Sequence, residues 1–225
     1  MNSPSRHAAI VETDAGAILA GGAPFSSALL ARARRYADEI IAADGGADRL
    51  LRLGVVPRAV IGDLDSISAA ARQRLHDRLF PITEQVTTDF DKALRSIAAR
   101  FVLALGFQGA RLDHGLAVLN ALVRHADRKV LLLGGRDVTF HAPRRLDLSL
   151  PVGTRLSLFP MAPVAGRSPG LRWPIDGLNF APDGMIGTSN EVASPKVTLE
   201  FDGPGMLVIL PFTQLPAALR SLCPP

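Results

Sequence analysis

Four short stretches of this sequence combine carboxylates, glycines and basic residues in spacings that suit a polyphosphate and a divalent cation. They are Asp44-Gly45-Gly46, Gly62-Asp63-Leu64-Asp65-Ser66, Thr88-Asp89-Phe90-Asp91-Lys92, and the run from Gly106 to His114 that carries Arg111 and Asp113. Asp63 and Asp65 alternate with a period of two, so in extended backbone both carboxylates face one way and Leu64 the other. Like charges so placed repel unless a cation bridges them, and oxygen ligands suit Mg²⁺, which completes its octahedron with water and substrate phosphates. Alone, the Asp-x-Asp pattern reads more often as a helix cap beside a solvated carboxylate. Asp89 shifts that balance. Thr88 and Asp91 make a capping box without it, which leaves Asp89 to complete a carboxylate trio with Asp63 and Asp65. Lys92, three residues on, reaches a phosphate oxygen from the same helix face, or else forms a surface ion pair with Asp89.

The glycines of Asp44-Gly45-Gly46 allow positive φ and close backbone approach, and the N–H groups opening the next helix suit a phosphate. Arg111 offers a bidentate fork to phosphate, and Asp113 orients it, caps the helix or touches the metal shell. His114 is a candidate base, although a lone His at a helix start is more often a structural hydrogen-bonder.

These clusters need a scaffold that brings them to one edge. Apolar runs at 17–20, 40–43, 59–61, 101–105 and 130–133 alternate with helical patterns at 26–37, 47–53, 69–79, 88–100 and 112–125. That alternation predicts an α/β fold, an open, mostly parallel sheet with flanking helices. In the fourth helical stretch Phe90, Ala93, Leu94 and Ile97 form a stripe that packs on the sheet. Each Asp cluster directly follows a strand, which places it at the carboxyl edge where open α/β sheets bind ligands. Beyond Arg145, Pro and Gly punctuate the chain and no amphipathic helix of useful length is expected. Strands at 154–159, 171–173, 197–201 and 206–210 predict a smaller C-terminal all-β domain. The division falls between 1–145 and 146–225.

The 225 residues suit one to two domains, and 48% hydrophobic against 20% charged residues excludes a disordered chain. The formal charge of +4 rests on 22 Arg, 3 Lys and 21 acidic residues, and the basic residues are scattered. Neither a nucleic-acid partner nor a membrane surface is therefore expected. Cys223 is the single cysteine, which excludes an intramolecular disulfide and fits a reducing compartment. The first 22 residues carry Glu12 and Asp14 without a long apolar core, so no signal peptide is expected. A cytoplasmic protein follows.

The ordered succession of Asp44-Gly45-Gly46-Ala47, Gly62-Asp63-Leu64-Asp65-Ser66, Thr88-Asp89-Phe90-Asp91-Lys92-Ala93-Leu94 and Arg111-Leu112-Asp113-His114 resembles the thiamine pyrophosphokinase family. In the tail, Gly170-Leu171-Arg172-Trp173 and Thr188-Ser189-Asn190 are similar to that family's Gly-Leu-Lys-Trp and Ser-Asn segments. The resemblance implies transfer of a diphosphoryl group from ATP to the thiamine hydroxyl, with AMP released. It also implies that the smaller C-terminal all-β domain is a sandwich, and that the protein is a homodimer with thiamine bound near the subunit interface. By position, Asp63, Asp65 and Asp89 are the expected Mg²⁺ ligands, with Asp44, Gly45 and Gly46 near metal and nucleotide. Lys92, Arg111 and Asp113 fall at the phosphates and Ser189 and Asn190 at thiamine. Trp173 either stacks on a cationic heterocycle or belongs to the core. The chain departs from the family in Asp48 where relatives often have Asn, in Gly109-Ala110 where many have Gly-Gly, and in Val86 at a frequently acidic position. The competing readings are a diphosphokinase for a pterin-type hydroxymethyl heterocycle and a non-catalytic nucleotide- or thiamine-binding regulator.

Overall fold

The computed structural model describes residues 9–109 and 111–224. Ala110 and the first eight residues of the stretch read as leaderless lie outside them. The chain divides into two compact units, residues 1–118 and 119–225.

The first unit carries β1 (Val11–Glu12), β2 (Gly16–Ala20), α1 (Ser27–Ala33), β3 (Glu39–Ala43), α2 (Gly46–Arg52), β4 (Ala59–Gly62) and α3 (Ala69–Arg74). It continues with β5 (Leu79–Pro81), α4 (Asp89–Arg95), β6 (Ile97–Ala98), β7 (Phe101–Leu105) and the start of α5 (Leu112–Arg124). Five strands run parallel in the order β7-β2-β3-β4-β5. Their residues are apolar on both faces, as a parallel sheet covered by helices requires. Ile18, Leu19, Ile41, Ile61, Leu103 and Leu105 are almost wholly buried. The chain leaves β2 toward β3, β4 and β5 and then returns to the other side of β2 as β7. The ends of β2 and β7 are thus a topological switch point, where connecting loops diverge and a crevice opens.

Helices α1, α3 and α4 are shorter than the periodicity predicts, whereas α2 and α5 match it to within a residue at each end. Ser26 and Ser68 cap α1 and α3 by accepting from the N–H groups of Leu29 and Ala71. The stretch expected to be helical over 88–100 stops at Arg95. The Ser96 hydroxyl donates to the Lys92 carbonyl, and Ile97 and Ala98 pair in parallel with Val11 and Glu12. Ile97 keeps its place in the buried stripe, but as a strand residue.

The second unit holds β8 (Val130–Leu133), β9 (Asp137–His141), β10 (Arg145–Ser149), β11 (Arg155–Pro160), β12 (Val164–Arg167), β13 (Asn179–Phe180), β14 (Gly187–Glu191), β15 (Lys196–Phe201), β16 (Met206–Pro211) and α6 (Leu215–Leu222). One antiparallel set runs β14-β11-β16-β9-β8 and a second sheet runs β10-β15-β12-β13. The all-β expectation holds for the architecture, with two corrections. Residues 171–173 form no strand; Leu171 makes one bridge, to Val192, because Pro174 follows directly and Gly170 precedes it at φ +98°. A helix does survive in the tail. With Pro216 in its first turn, α6 buries Leu215, Ala217, Ala218 and Leu219. No described helix is long and apolar enough to cross a membrane.

Candidate active site

The carboxyl ends of β2, β3, β4 and β7 surround a cavity of about 420 Å³ within the first unit. Its lining includes Asp44, Gly45, Asp63, Asp89, Lys92 and Arg111, so residues from all four clusters share one space. Residues 21–24 also line it, as do Phe107 and Gly109, none of which the sequence reading assigned a role. The signal for residues 21–24 was present: Gly21-Gly22 follows an apolar strand in the same way as Gly45-Gly46 follows β3.

Asp44, Asp63 and Asp65 each bring a carboxylate oxygen within 4.8 Å of the others. The mechanism of that convergence differs from the expected alternation. Leu64 is not extended but left-handed, at φ +65°, and its buried side chain anchors the turn. The Arg72 guanidinium donates to the Leu64 carbonyl at 2.5 Å. Within the turn the Asp65 N–H points to Asp63 Oδ1 at 3.4 Å, and the Ser66 hydroxyl donates to Asp65 Oδ1 at 2.8 Å. Asp44 is itself left-handed, at φ +41°, whereas Gly45 is in the ordinary helical region. The glycine requirement at Gly46 is close approach: a Cβ there would stand 2.0 Å from the Ala20 carbonyl oxygen.

Asp44 is buried, and Ser66 N–H donates to its Oδ2 at 3.2 Å. Its Oδ1 is buried with no hydrogen-bond partner among the described residues. Burial, with the nearby Asp89 and Asp65 charges, pushes the Asp44 carboxyl up to about 6 against the pull of Ser66. An orphaned, desolvated oxygen beside two further carboxylates is a donor set that fits a hard divalent cation.

Asp89 occupies the first position of α4 behind the Thr88 cap, whose hydroxyl accepts from Asp91 N–H at 3.4 Å. It stands apart from the Asp44, Asp63 and Asp65 group in its bonding. Its Oδ1 accepts from Lys92 Nζ at 3.1 Å and from the Asp63 N–H at 3.4 Å. Lys92 is 1% exposed, so its pairing with Asp89 is no surface ion pair. Nζ also donates to Asp63 Oδ2 at 2.8 Å. Desolvation alone would lower the ammonium pKa, but the hydrogen bonds to Asp63 and Asp89 more than offset it, and the net shift is upward. The same bond from Lys92 holds the Asp63 carboxyl below its usual range.

At the cavity rim Arg111 is forked onto Asp113, with Nε–Oδ1 at 3.2 Å and Nη2–Oδ2 at 2.6 Å, and both side chains are mostly exposed. His114 lines the rim beside them and donates its N–H to Asp113. Asp48, the departure from the common Asn, accepts from both N–H and hydroxyl of Ser68 and so ties α2 to the cap of α3. Val86 is 92% exposed, and the acidic residue of that loop is Glu84, bound by Arg95 and Thr87.

In the second unit, Ser189 is left-handed at φ +63°, and its N–H donates to the Ser157 hydroxyl at 3.0 Å. Asn190 is buried and clasps the backbone of Trp173: Oδ1 accepts from its N–H at 3.2 Å and Nδ2 donates to its carbonyl at 2.6 Å. The Trp173 ring is 54% exposed, so it is not core. The Arg172 guanidinium lies 5.2 Å from its centroid and is itself paired with Glu191 at 3.0 Å.

Comparison with known proteins gives the same pattern from another direction. The family model described as thiamin pyrophosphokinase, catalytic domain, matches residues 31–132, and that for the vitamin B1 binding domain matches residues 137–205. Thiamine pyrophosphokinase 1 of Oryza sativa subsp. japonica is 27% identical over 197 residues, covering 72% of this chain and 75% of the relative. Thiamin pyrophosphokinase 1 of Caenorhabditis elegans is 27% identical over 180 residues, covering 71% and 74%. The crystal structure of thiamin pyrophosphokinase from Geobacillus thermodenitrificans superposes with a TM-score of 0.70 at 25% identity, over 87% of this chain and 96% of that one. The Candida albicans enzyme shares the fold, with a TM-score of 0.75 at 15% identity over 94% and 95%. With both halves of the family matched in order, from the acidic cavity of the first unit to the Trp173 and Ser189 segments of the second, the chain belongs to the thiamin pyrophosphokinase family.

Proposed function

We propose that this protein transfers the diphosphoryl group of ATP to the hydroxyl of thiamine, giving thiamine diphosphate and AMP, with Mg²⁺ at the acidic group. The observation that carries this reading is the orphaned Asp44 Oδ1, which lies beside Asp63 and Asp65 and, with Asp63, lines a cavity at the switch point of a parallel sheet. Asp44, Asp63 and Asp65 would hold the metal, and Asp89, expected as the third ligand, would stand beside it as the partner of Lys92 and the Asp63 N–H. When bound, Mg²⁺ neutralises charge on the polyphosphate. Lys92 fixes the Asp63 and Asp89 carboxylates relative to each other. Arg111, pre-oriented by Asp113, meets phosphate charge at the rim, and Gly45 and the residue 21–24 backbone let the nucleotide approach closely. Little covalent chemistry is asked of the protein, so alignment and charge placement lower the barrier.

Thiamine binding falls to the Trp173, Ser189 and Asn190 segments. The open indole suits a flat heterocycle, Ser189 is held in a strained conformation, and Asn190 acts through the Trp173 backbone. In this reading residues 1–145 are the ATP-binding catalytic part and 146–225 the thiamine-binding and dimerising part of a cytoplasmic homodimer, with no nucleic-acid or membrane partner. The test is incubation with ATP, Mg²⁺ and thiamine. Stoichiometric thiamine diphosphate and AMP are expected, and release of ADP, or ATP binding without AMP, overturns the reading.

A further inference from the structure

We propose that Arg49 is a positioning residue for ATP: through Phe25 it fixes the residue 21–24 wall of the cavity without touching the nucleotide itself. The inference rests on the reading that this cavity takes ATP.

Arg49 lies on α2, whose preceding residues Asp44 and Gly45 line the cavity, but Arg49 itself does not. Its Nη2 donates to the Phe25 carbonyl at 2.5 Å, and its guanidinium carbon stands 5.4 Å from the centroid of the Phe25 ring. One side chain thus grips both backbone and ring of the residue that follows Pro24. Its Nε is buried and finds no partner among the described residues, so part of its donor capacity is spent to keep the guanidinium there. Phe25 is buried in turn. A Cβ added to Gly106 would come within 2.7 Å of Phe25 Cδ1 and 2.5 Å of the Gly21 carbonyl oxygen. The residue 21–24 loop is also fastened toward β7: Gly21 N–H donates to Leu105 O at 2.8 Å and Ala23 N–H to Gly106 O at 2.9 Å.

The loop therefore hangs between two anchors, backbone bonds to the end of β7 and the Arg49–Phe25 clasp from α2. Cutting the second frees the wall relative to Gly45, which faces it across ordinary van der Waals distance: a Cβ on Gly22 would lie 3.6 Å from the Gly45 carbonyl carbon. The planar fork of Arg suits a joint that needs one N–H toward a carbonyl and one face over a ring, which the ammonium of Lys supplies only in part.

Kinetics of Arg49→Ala and Arg49→Lys test this. In Arg49→Ala the KM for ATP should rise roughly tenfold, and in Arg49→Lys roughly threefold, because misplaced binding walls weaken alignment of the substrate they contact. The KM for thiamine should stay within about twofold, since no thiamine contact is altered. Added guanidinium ion at low millimolar concentration should lower the ATP KM of folded Arg49→Ala. Unchanged ATP KM in both variants overturns the proposal, as does a parallel rise of both KM values, which marks a general structural defect. Should Arg49→Ala not fold, Arg49→Lys and Phe25→Leu, which keeps the carbonyl and removes the ring, carry the same comparison. A wild-type protein that forms no thiamine diphosphate would instead refute the reading of the cavity.

Discussion

Among the described residues, three besides glycine have positive φ: Asp44, Leu64 and Ser189. Asp44 and Leu64 lie in segments that residue chemistry had singled out, and Ser189 in one that only the family resemblance had. Such conformations cost on the order of 1–3 kcal/mol and persist where the surroundings over-determine them. At Leu64 the surroundings are a buried side chain and the Arg72 bond to its carbonyl; at Ser189 they include the Ser157 hydroxyl. The strain buys convergence of oxygens that an extended Asp63-Leu64-Asp65 would not bring to Asp44. Two variants probe this scale. Asp65→Ala and Asp89→Ala should each reduce turnover by a factor on the order of 10² or more. Asp65→Ala should leave the fold stable because it removes one of several crowded carboxylates, whereas Asp89→Ala should also lower the melting temperature because buried Lys92 loses one of its two carboxylate partners. Coupled measurement of AMP release and circular dichroism checks this, and near-normal turnover in both would contradict the metal assignment. In the same samples, Mg²⁺ should raise the melting temperature of the wild type and leave that of Asp65→Ala nearly unmoved.

At the scale of elements, the helices and strands serve to bring loops to the edge, and their contacts are correspondingly tight. Gly46 opens α2 against β2 with no room for a methyl group, 2.0 Å from the Ala20 oxygen. Gly46→Ala should cost about 1–3 kcal/mol or more, read as a lower urea midpoint, because backbone cannot retreat as a flexible side chain would. In the second unit, β9 and β16 are bridged at their ends by His141, whose Nε2 accepts from the Gly205 N–H at 3.1 Å. Burial holds the His141 pKa below its usual value, so the neutral ring is the folded form. A depressed folded pKa contributes stability that is present above the unfolded value of about 6.5 and is lost as pH falls below it. Melting temperature should therefore drop more steeply from pH 7 to pH 5 in the wild type than in His141→Gln. Parallel curves would show that His141 carries no such linkage.

At the scale of the whole molecule, the pI of about 10 goes with a formal charge of only +4, because 22 Arg and 3 Lys stand against 21 acidic residues. Buried Lys92 and buried Asp44 stand at the cavity, whose lining mixes glycine and apolar residues with Asp63, Asp89 and Arg111. Val152, Trp173, Met185 and Ile186 are exposed apolar side chains of the second unit. Sedimentation should give twice the 23.9 kDa chain mass, and a monomer at micromolar concentration would exclude the proposed homodimer.

Much of this was legible in the order of residues. Apolar runs and helical stripes require a parallel sheet, and Asp and Gly clusters after strands 40–43, 59–61 and 101–105 must emerge at its carboxyl edge, because every strand of such a sheet points the same way. Residue type likewise determined that carboxylates would outnumber other donors there. Other features were decided only by the tertiary structure. That Asp44 joins Asp63 and Asp65, that Lys92 is buried between Asp63 and Asp89, and that Trp173 is open while Asn190 is spent on its backbone all depend on residues far apart in the chain. Local spacing constrains the direction of a side chain within its own element, but burial and convergence arise from the packing of several elements. The early end of α4 and the survival of α6 have the same origin: pairing with β1 and burial of one apolar face outweigh the local preferences of the residues concerned.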